Sequence, residues 1–159
     1  MTEPFSITVA ESQDDVAAAR ELFLEYAAWL GFSLCFQGFD EELATLPGKY
    51  ASPAGRLLLA RCGEKLAGCG GLRPLEASIC EMKRLYVRPD FRGRRLGLAL
   101  AERLIADAKA IGYEFMRLDT VPSQMADANR MYRRLRFYEI PAYRYNPQPE
   151  VSYLELRLR

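Results

Sequence analysis

The residues from Cys80 to Leu100 carry the densest chemistry in the chain. Cys80-Glu81-Met82-Lys83-Arg84-Leu85-Tyr86-Val87 reads as a strand, and Arg88-Pro89 ends it. Asp90-Phe91-Arg92-Gly93-Arg94-Arg95 then turns into a helix that opens at Leu96-Gly97-Leu98. Such an arrangement is an anion-binding device, because the first N–H groups of a helix have no internal partner and its dipole favours negative charge there. Gly93 and Gly97 allow close approach of a ligand or a neighbouring strand. Arg92, Arg94 and Arg95 add positive charge, so a phosphate or pyrophosphate is the natural guest. The turn is neither of two widespread phosphate loops: it has no Gly-Lys-Ser/Thr, and Gly-x-Gly-x-x-Gly does not fit across it. A solvated helix start with basic residues explains the turn equally well when the turn is taken alone.

Composition narrows the remaining chemistry. The 159 residues include no histidine, which removes Ser-His-Asp and Cys-His nucleophiles and the commonest zinc sites. The 22 basic and 21 acidic side chains nearly cancel, whereas a chain living by attraction to nucleic-acid backbones is normally more basic. The cysteines Cys35, Cys62, Cys69 and Cys80 form no Cys-x-x-Cys, so they read as buried thiols in a reducing compartment. Met1-Thr2-Glu3-Pro4 lacks the basic and apolar regions of a secretory leader, and the longest apolar runs fall far below the ~20 residues of a membrane helix. The expectation is a cytoplasmic protein of one domain, 1–159, with no metal and neither a nucleic-acid nor a membrane partner.

The elements that must position the turn follow from apolar periodicity. Phe5–Ala10 alternates as a half-buried strand, and Ser12 with Asp15 opens a helix. Val16, Ala19, Phe23, Tyr26 and Leu30 form its apolar face, and Gly31 ends it. Phe32–Phe39 is aromatic and irregular, and Asp40–Leu46 is a short helix stopped by Pro47-Gly48. Arg56–Cys62 and Leu66–Arg73 form a hairpin, and Ser78–Val87 is the next strand. Leu96, Leu100, Leu104, Ala108 and Ile111 mark a helix closed by Gly112. Strand Tyr113–Val121, helix Gln124–Leu135 and strands Phe137–Tyr145 and Val151–Leu158 complete the order βααβββαβαββ. That order implies an α/β domain with a mostly antiparallel first half and one parallel crossover.

With Cys80–Ala110 as its main support and Met125–Phe137 as its second, the chain resembles the GNAT superfamily of acyl-CoA-dependent N-acetyltransferases. The family pattern Arg/Gln-x-x-Gly-x-Gly/Ala falls on Arg92 to Gly97, with Arg95 where the family has its middle glycine. The resemblance implies a mixed sheet of about seven strands with four helices, whose two central parallel strands splay into a cleft. It implies that N–H groups from Gly93 through Arg94, Arg95, Leu96 and Gly97 to Leu98 hold the pyrophosphate of coenzyme A. A non-glycine residue forced to positive φ at position 95 would cost on the order of 1 kcal/mol. The backbone of Leu85, Tyr86 and Val87 would bind the pantetheine arm as an added strand, with an N–H near Leu85 facing the thioester oxygen.

An alkylammonium must lose a proton before it attacks, at a cost of roughly 4.6 kcal/mol at pH 7. By resemblance Glu81, four residues before Leu85, is the base acting through water. Its alternative is an ion-pair partner for Lys83, Arg84 or an arginine on a neighbouring strand. By the same resemblance Tyr132 is the donor to the leaving thiolate, within a helix pattern that Ala128 and Phe137 fit. Met125 and Arg136 replace that pattern's Asn and Gly. The packed alternative for Tyr132 is a tyrosine among Met131 and Leu135.

The remaining features have bland readings beside functional ones. Arg130, Arg133, Arg134 and Arg136 read as a solvated face, or as contacts to the 3′-phosphate of coenzyme A. Gly68-Cys69-Gly70-Gly71 marks a bulge or close backbone packing, or the border of an acceptor cleft. Trp29, Phe32, Phe36, Phe39 and Tyr50, with the Tyr145-Asn146-Pro147 loop, shape an acceptor pocket or fill the core. The expected function is transfer of an acetyl group from acetyl-CoA to a primary amine of a small molecule, peptide or protein, in a chain that could form a homodimer. The alternative is an acyl-CoA-binding sensor of the same shape without transfer activity.

Overall fold

The computed structural model describes residues 4–31, 34 and 38–159. Strand β1 (Phe5–Val9) leads into helix α1 (Gln13–Leu30), which Ser12 caps by accepting the Asp15 N–H at 3.1 Å. Gly31 closes α1 in the left-handed conformation. Helix α2 (Phe39–Thr45) precedes strands β2 (Arg56–Cys62), β3 (Lys65–Glu76) and β4 (Ile79–Val87). Helix α3 (Leu96–Ile111), strand β5 (Phe115–Thr120), helix α4 (Ala126–Arg134) and strands β6 (Tyr138–Ile140) and β7 (Ser152–Arg157) follow. The expected order of elements stands, with single 3₁₀ turns added at Gly48–Tyr50 and Pro89–Phe91.

All seven strands form one sheet in the order β1-β2-β3-β4-β5-β7-β6, and β4 with β5 is its parallel pair. Alternation along β2 supplies both faces: Leu58 and Ala60 pack with Leu96, Leu100 and Leu104 of α3 and Tyr132 of α4. Leu57 and Leu59 pack with Ala19, Leu22 and Phe23 of α1 and with Phe39 and Tyr50. The glycine-rich run of β3 serves this packing. A side chain at Gly71 would meet the Tyr50 ring at 2.6 Å, and one at Gly70 would press Leu104 at 3.1 Å. The strand expected over Phe137–Tyr145 is shorter, because Pro141 follows β6 and has no N–H for a ladder.

Two irregularities shape the centre. Parallel pairing of β4 with β5 covers only Ile79↔Phe115, Cys80↔Met116 and Glu81↔Arg117, after which the strands part. Between Gly71↔Lys83 and Cys69↔Tyr86 the β3–β4 register shifts, so Arg84 and Leu85 lie opposite Gly70 alone. This is a β-bulge with Arg84 at φ 59°. The parted strands make the V-shaped opening that the resemblance implied.

Candidate active site

The opening between β4 and β5 is a cleft of about 450 Å³. Its turn side is lined by Arg92, Gly93, Arg95, Leu96 and Gly97. Helix α3 begins with no side-chain cap, and its first N–H bond runs from Ala99 to the Arg95 carbonyl at 3.0 Å. The N–H groups of Leu96, Gly97 and Leu98 are therefore left for a ligand. Gly93 has φ 81° and Arg95 φ 63°, so the turn does demand a left-handed residue where the family's middle glycine stands. Arg136, at the other family glycine position, has φ 77°. Arginine stands in the left-handed region at both places, at about 1 kcal/mol of strain each.

Arg94 and Leu98 do not line the cleft. The Arg94 guanidinium lies 5.7 Å from the ring centres of both Phe5 and Phe91, which leaves only its backbone to serve the turn. Arg92 folds back on the strand: its Nε donates to the Val87 carbonyl at 2.9 Å, and its guanidinium sits 5.3 Å from the Trp29 ring centre. Leu85, Tyr86 and Val87 line the cleft along the stretch of β4 that has left β5. That open backbone edge can take an extended ligand as a further strand.

The inner end of the cleft is built from charged side chains. Two residues beyond the last parallel pair on each strand, Lys83 and Asp119 form an ion pair at 3.5 Å. Both line the cleft, as does Asn146, whose Nδ2 donates to Asp119 Oδ2 at 3.4 Å. Burial lowers the Lys83 ammonium to about 8, with Asp119 pulling the other way. Burial raises the Asp119 carboxyl, but Lys83, Arg144 and the Asn146 hydrogen bond outweigh it and leave the carboxyl below its ordinary value. Arg84, at the bulge, donates to Glu42 through Nε at 2.9 Å and Nη2 at 3.1 Å and stacks 5.1 Å from the Phe39 ring centre. The bidentate pair holds the strained residue in place.

Glu81 is fully buried and does not line the cleft. Arg73, its cross-strand neighbour, donates to Oε1 at 3.0 Å, while Oε2 accepts from the Tyr143 hydroxyl at 2.7 Å and pairs with Arg144. Burial raises its carboxyl, and Lys83, Arg144 and Arg73 together bring it below its ordinary value. The ion-pair alternative for Glu81 is thus the arrangement the fold adopts, and Arg73, weighed as a partner for an acceptor carboxylate, is engaged by Glu81 and Glu42.

Tyr132 lines the cleft from α4 and is nearly buried, with its ring edge-on to Phe137 at 5.6 Å. Burial, and then the charges of Tyr26 and Asp119, raise its hydroxyl above the ordinary phenol value. Of the aromatics expected near an acceptor, Trp29 lines the cleft and is 43% exposed, whereas Phe39 and Tyr50 are buried in the core. Phe32, Phe36 and Cys35 lie outside the described residues. Cys62, Cys69 and Cys80 are buried, and burial pushes Cys80 up to about 12. The α4 arginines do not line the cleft; Arg130 pairs with Asp127 and Arg133 with Glu139 on the exposed face. Sequence reasoning missed Lys83, Arg84 and Asp119 as cleft residues. Lys83 and Asp119 become neighbours only through the parallel register, and the one signal available was a run of charge inside an otherwise apolar strand.

Comparisons with known proteins agree with this geometry. The profile of the Acetyltransferase (GNAT) family matches residues 16–137. An uncharacterized N-acetyltransferase of Schizosaccharomyces pombe is 37% identical over 155 residues, covering 96% of this chain and 94% of its own. Another, of Dictyostelium discoideum, is 32% identical over 215 residues, covering 96% of this chain and 99% of its own. A solved structure of yncA from Salmonella typhimurium with its cofactor acetyl-CoA has a TM-score of 0.73 at 21% identity, covering 98% of this chain and 94% of that one, a likeness of fold. A left-handed turn opening an uncapped helix, a bulged strand and a splayed parallel pair, together with these matches, place the chain in the GNAT family of acetyltransferases.

Proposed function

We propose that this chain transfers an acetyl group from acetyl-CoA directly to a primary amine held beside it in the cleft. The observation that carries the reading is continuity: the uncapped first turn of α3, the open edge of β4 and a buried polar end line one cavity. These residues fit the cofactor found with the Salmonella structure, and coenzyme A would supply an acyl thioester with a good leaving sulfur. The N–H groups of the turn, Gly93 to Leu98, would hold the pyrophosphate, with Arg92 and Arg95 adding charge. Leu85, Tyr86 and Val87 would align the pantetheine arm, and the Leu85 N–H would stabilise charge developing on the thioester oxygen.

Proton movements divide between the inner charges and Tyr132. Asp119 is the carboxylate at the inner end of the cleft and would receive the acceptor's ammonium, while the neighbouring Lys83 cation makes that ammonium easier to deprotonate. Glu81 acts in this reading as a positioning residue, fixing Arg73, Arg144 and Tyr143 behind the wall. An unchanged pH–rate profile for Glu81→Gln fits that role, and loss of its acidic limb would return Glu81 to the role of base. The raised pKa of Tyr132 suits it to hydrogen-bond a departing thiolate rather than to give up its proton. Trp29 and Tyr26 on the outer wall suit a small amine with some apolar surface.

Calorimetric titration with acetyl-CoA, beside dephospho-coenzyme A and a DNA oligomer at two salt concentrations, tests the binding half. Micromolar acetyl-CoA binding is expected, with no salt-dependent binding of DNA. Coenzyme A release across a panel of amines tests the transfer half, and binding without release on any amine would favour the sensor alternative. Among the described residues no helix is long and apolar enough to cross a membrane.

A further inference from the structure

The chain has four lysines, Lys49, Lys65, Lys83 and Lys109. Three are exposed, and Lys83 is 5% exposed at the point where β4 and β5 part. It lies two residues before Leu85, on the strand whose backbone would align the acyl arm, and it lines the same cleft. An acyl group held at the inner end of this cleft would share that cavity with the Lys83 side chain. We infer that Lys83 is a self-acetylation site, modified by the protein's own acetyl-CoA when no acceptor amine fills the cleft. The inference rests on the acetyl-CoA reading above.

The step balances without a further reagent. Neutral Lys83 Nζ adds to the thioester carbonyl, the new C–N bond forms as the C–S bond breaks, and sulfur leaves with the bonding pair. The proton shed by nitrogen passes to that sulfur by way of Asp119, whose Oδ1 is 3.5 Å from Nζ. The surroundings favour the neutral amine. Burial and the cations Arg84 and Arg144 disfavour the ammonium, Asp119 and Glu81 favour it, and the balance lies near 8. With its value near 8, Lys83 is neutral in a large fraction of chains at pH 8. Acetylation would remove the charge that faces Asp119 and fill the inner end of the cleft, so the mark would block transfer. Acceptor amines would protect Lys83 by competing for the same acyl group, and such protection would identify them.

The test incubates the full chain with acetyl-CoA at several pH values and maps acetylation at each lysine by mass spectrometry, with binding measured calorimetrically on the same sample. The expected result is a mark on Lys83 at least tenfold above Lys49, Lys65 and Lys109, increasing as pH rises through about 8 and suppressed by excess coenzyme A. Side-chain NMR of isotope-labelled lysines, without acetyl-CoA, should show an ammonium titrating near 8, and Lys83→Arg should remove that signal. Asp119→Asn removes an attractive charge, so both the titration and the onset of acetylation should move to lower pH. Acetyl-CoA binding with Lys83 unmarked, or marked no more than the exposed lysines, overturns this inference alone. Absence of acetyl-CoA binding overturns it together with the proposed function.

Discussion

The turn side of the cleft comes from one continuous stretch, Val87 to Gly97, and works mainly with backbone N–H groups. The charged inner end comes from five separate segments: Glu42 on α2, Arg73 on β3, Glu81, Lys83 and Arg84 on β4, Asp119 on β5, and Arg144 after β6. A backbone site tolerates side-chain change as long as φ and ψ are kept, which is why Arg95 can stand at a family glycine position with φ 63°. The side-chain cluster has no such freedom. Each member there is a buried or half-buried charge whose partner lies on another element, and removing one leaves the other uncompensated.

The largest effect that would break this contrast is in the cluster. Glu81→Ala should destabilise the chain by roughly 3–5 kcal/mol in urea titration, because Arg73 and Arg144 both lose their carboxylate. A loss under 1 kcal/mol would mean that solvent already compensates these charges. Next, Tyr132→Phe should cut chemistry-limited turnover by roughly ten- to a hundredfold with acetyl-CoA affinity unchanged. Full turnover in that variant would leave Tyr132 as packing only.

Arg95→Gly and Arg136→Gly both relieve a left-handed arginine, and each should stabilise the chain by about 0.5–1 kcal/mol by thermal or urea unfolding. Only Arg95→Gly should alter acetyl-CoA binding, since Arg136 lies outside the cleft. Equal effects of the two on binding would count against the turn as the cofactor cradle.

A further effect is the pH dependence of stability. Glu81 and Asp119 have folded pKa values below their unfolded ones, so their stabilisation is complete above the unfolded values and lost as pH falls through the folded ones. Lys83 works in the opposite window. Its folded value near 8 lies below the unfolded value of about 10.4, so the unfolded chain binds more protons between them and stability should rise with pH there. Buried Tyr132, with its raised value, opposes that rise once the unfolded tyrosines ionise near pH 10. Urea midpoints from pH 7.5 to 9.5 should show the rise in the parent chain and a flatter line in Lys83→Met.

The local features of this protein were set by its own sequence. Ser12 caps α1, Gly31 and Gly112 close helices α1 and α3, and the apolar periods of β2 and α3 give the elements and their buried faces. These depend on neighbours within about one helical turn or one strand alternation, so the chain spells them out in order. The turn that opens α3 was legible for the same reason, together with a resemblance confined to contiguous residues. Tertiary structure alone decided the rest. The conformation at Arg95 was open to either sign of φ until the turn was built. Glu81 faces away from the cleft and into three partners, two of which, Tyr143 and Arg144, arrive from about sixty residues later. Lys83 meets Asp119 by a side-chain ion pair across the gap that opens after Glu81↔Arg117, and a chain read in order contains no trace of that meeting. Long-range pairing of charges is specified by how elements pack, and packing is a property of the whole sheet and its two helical layers.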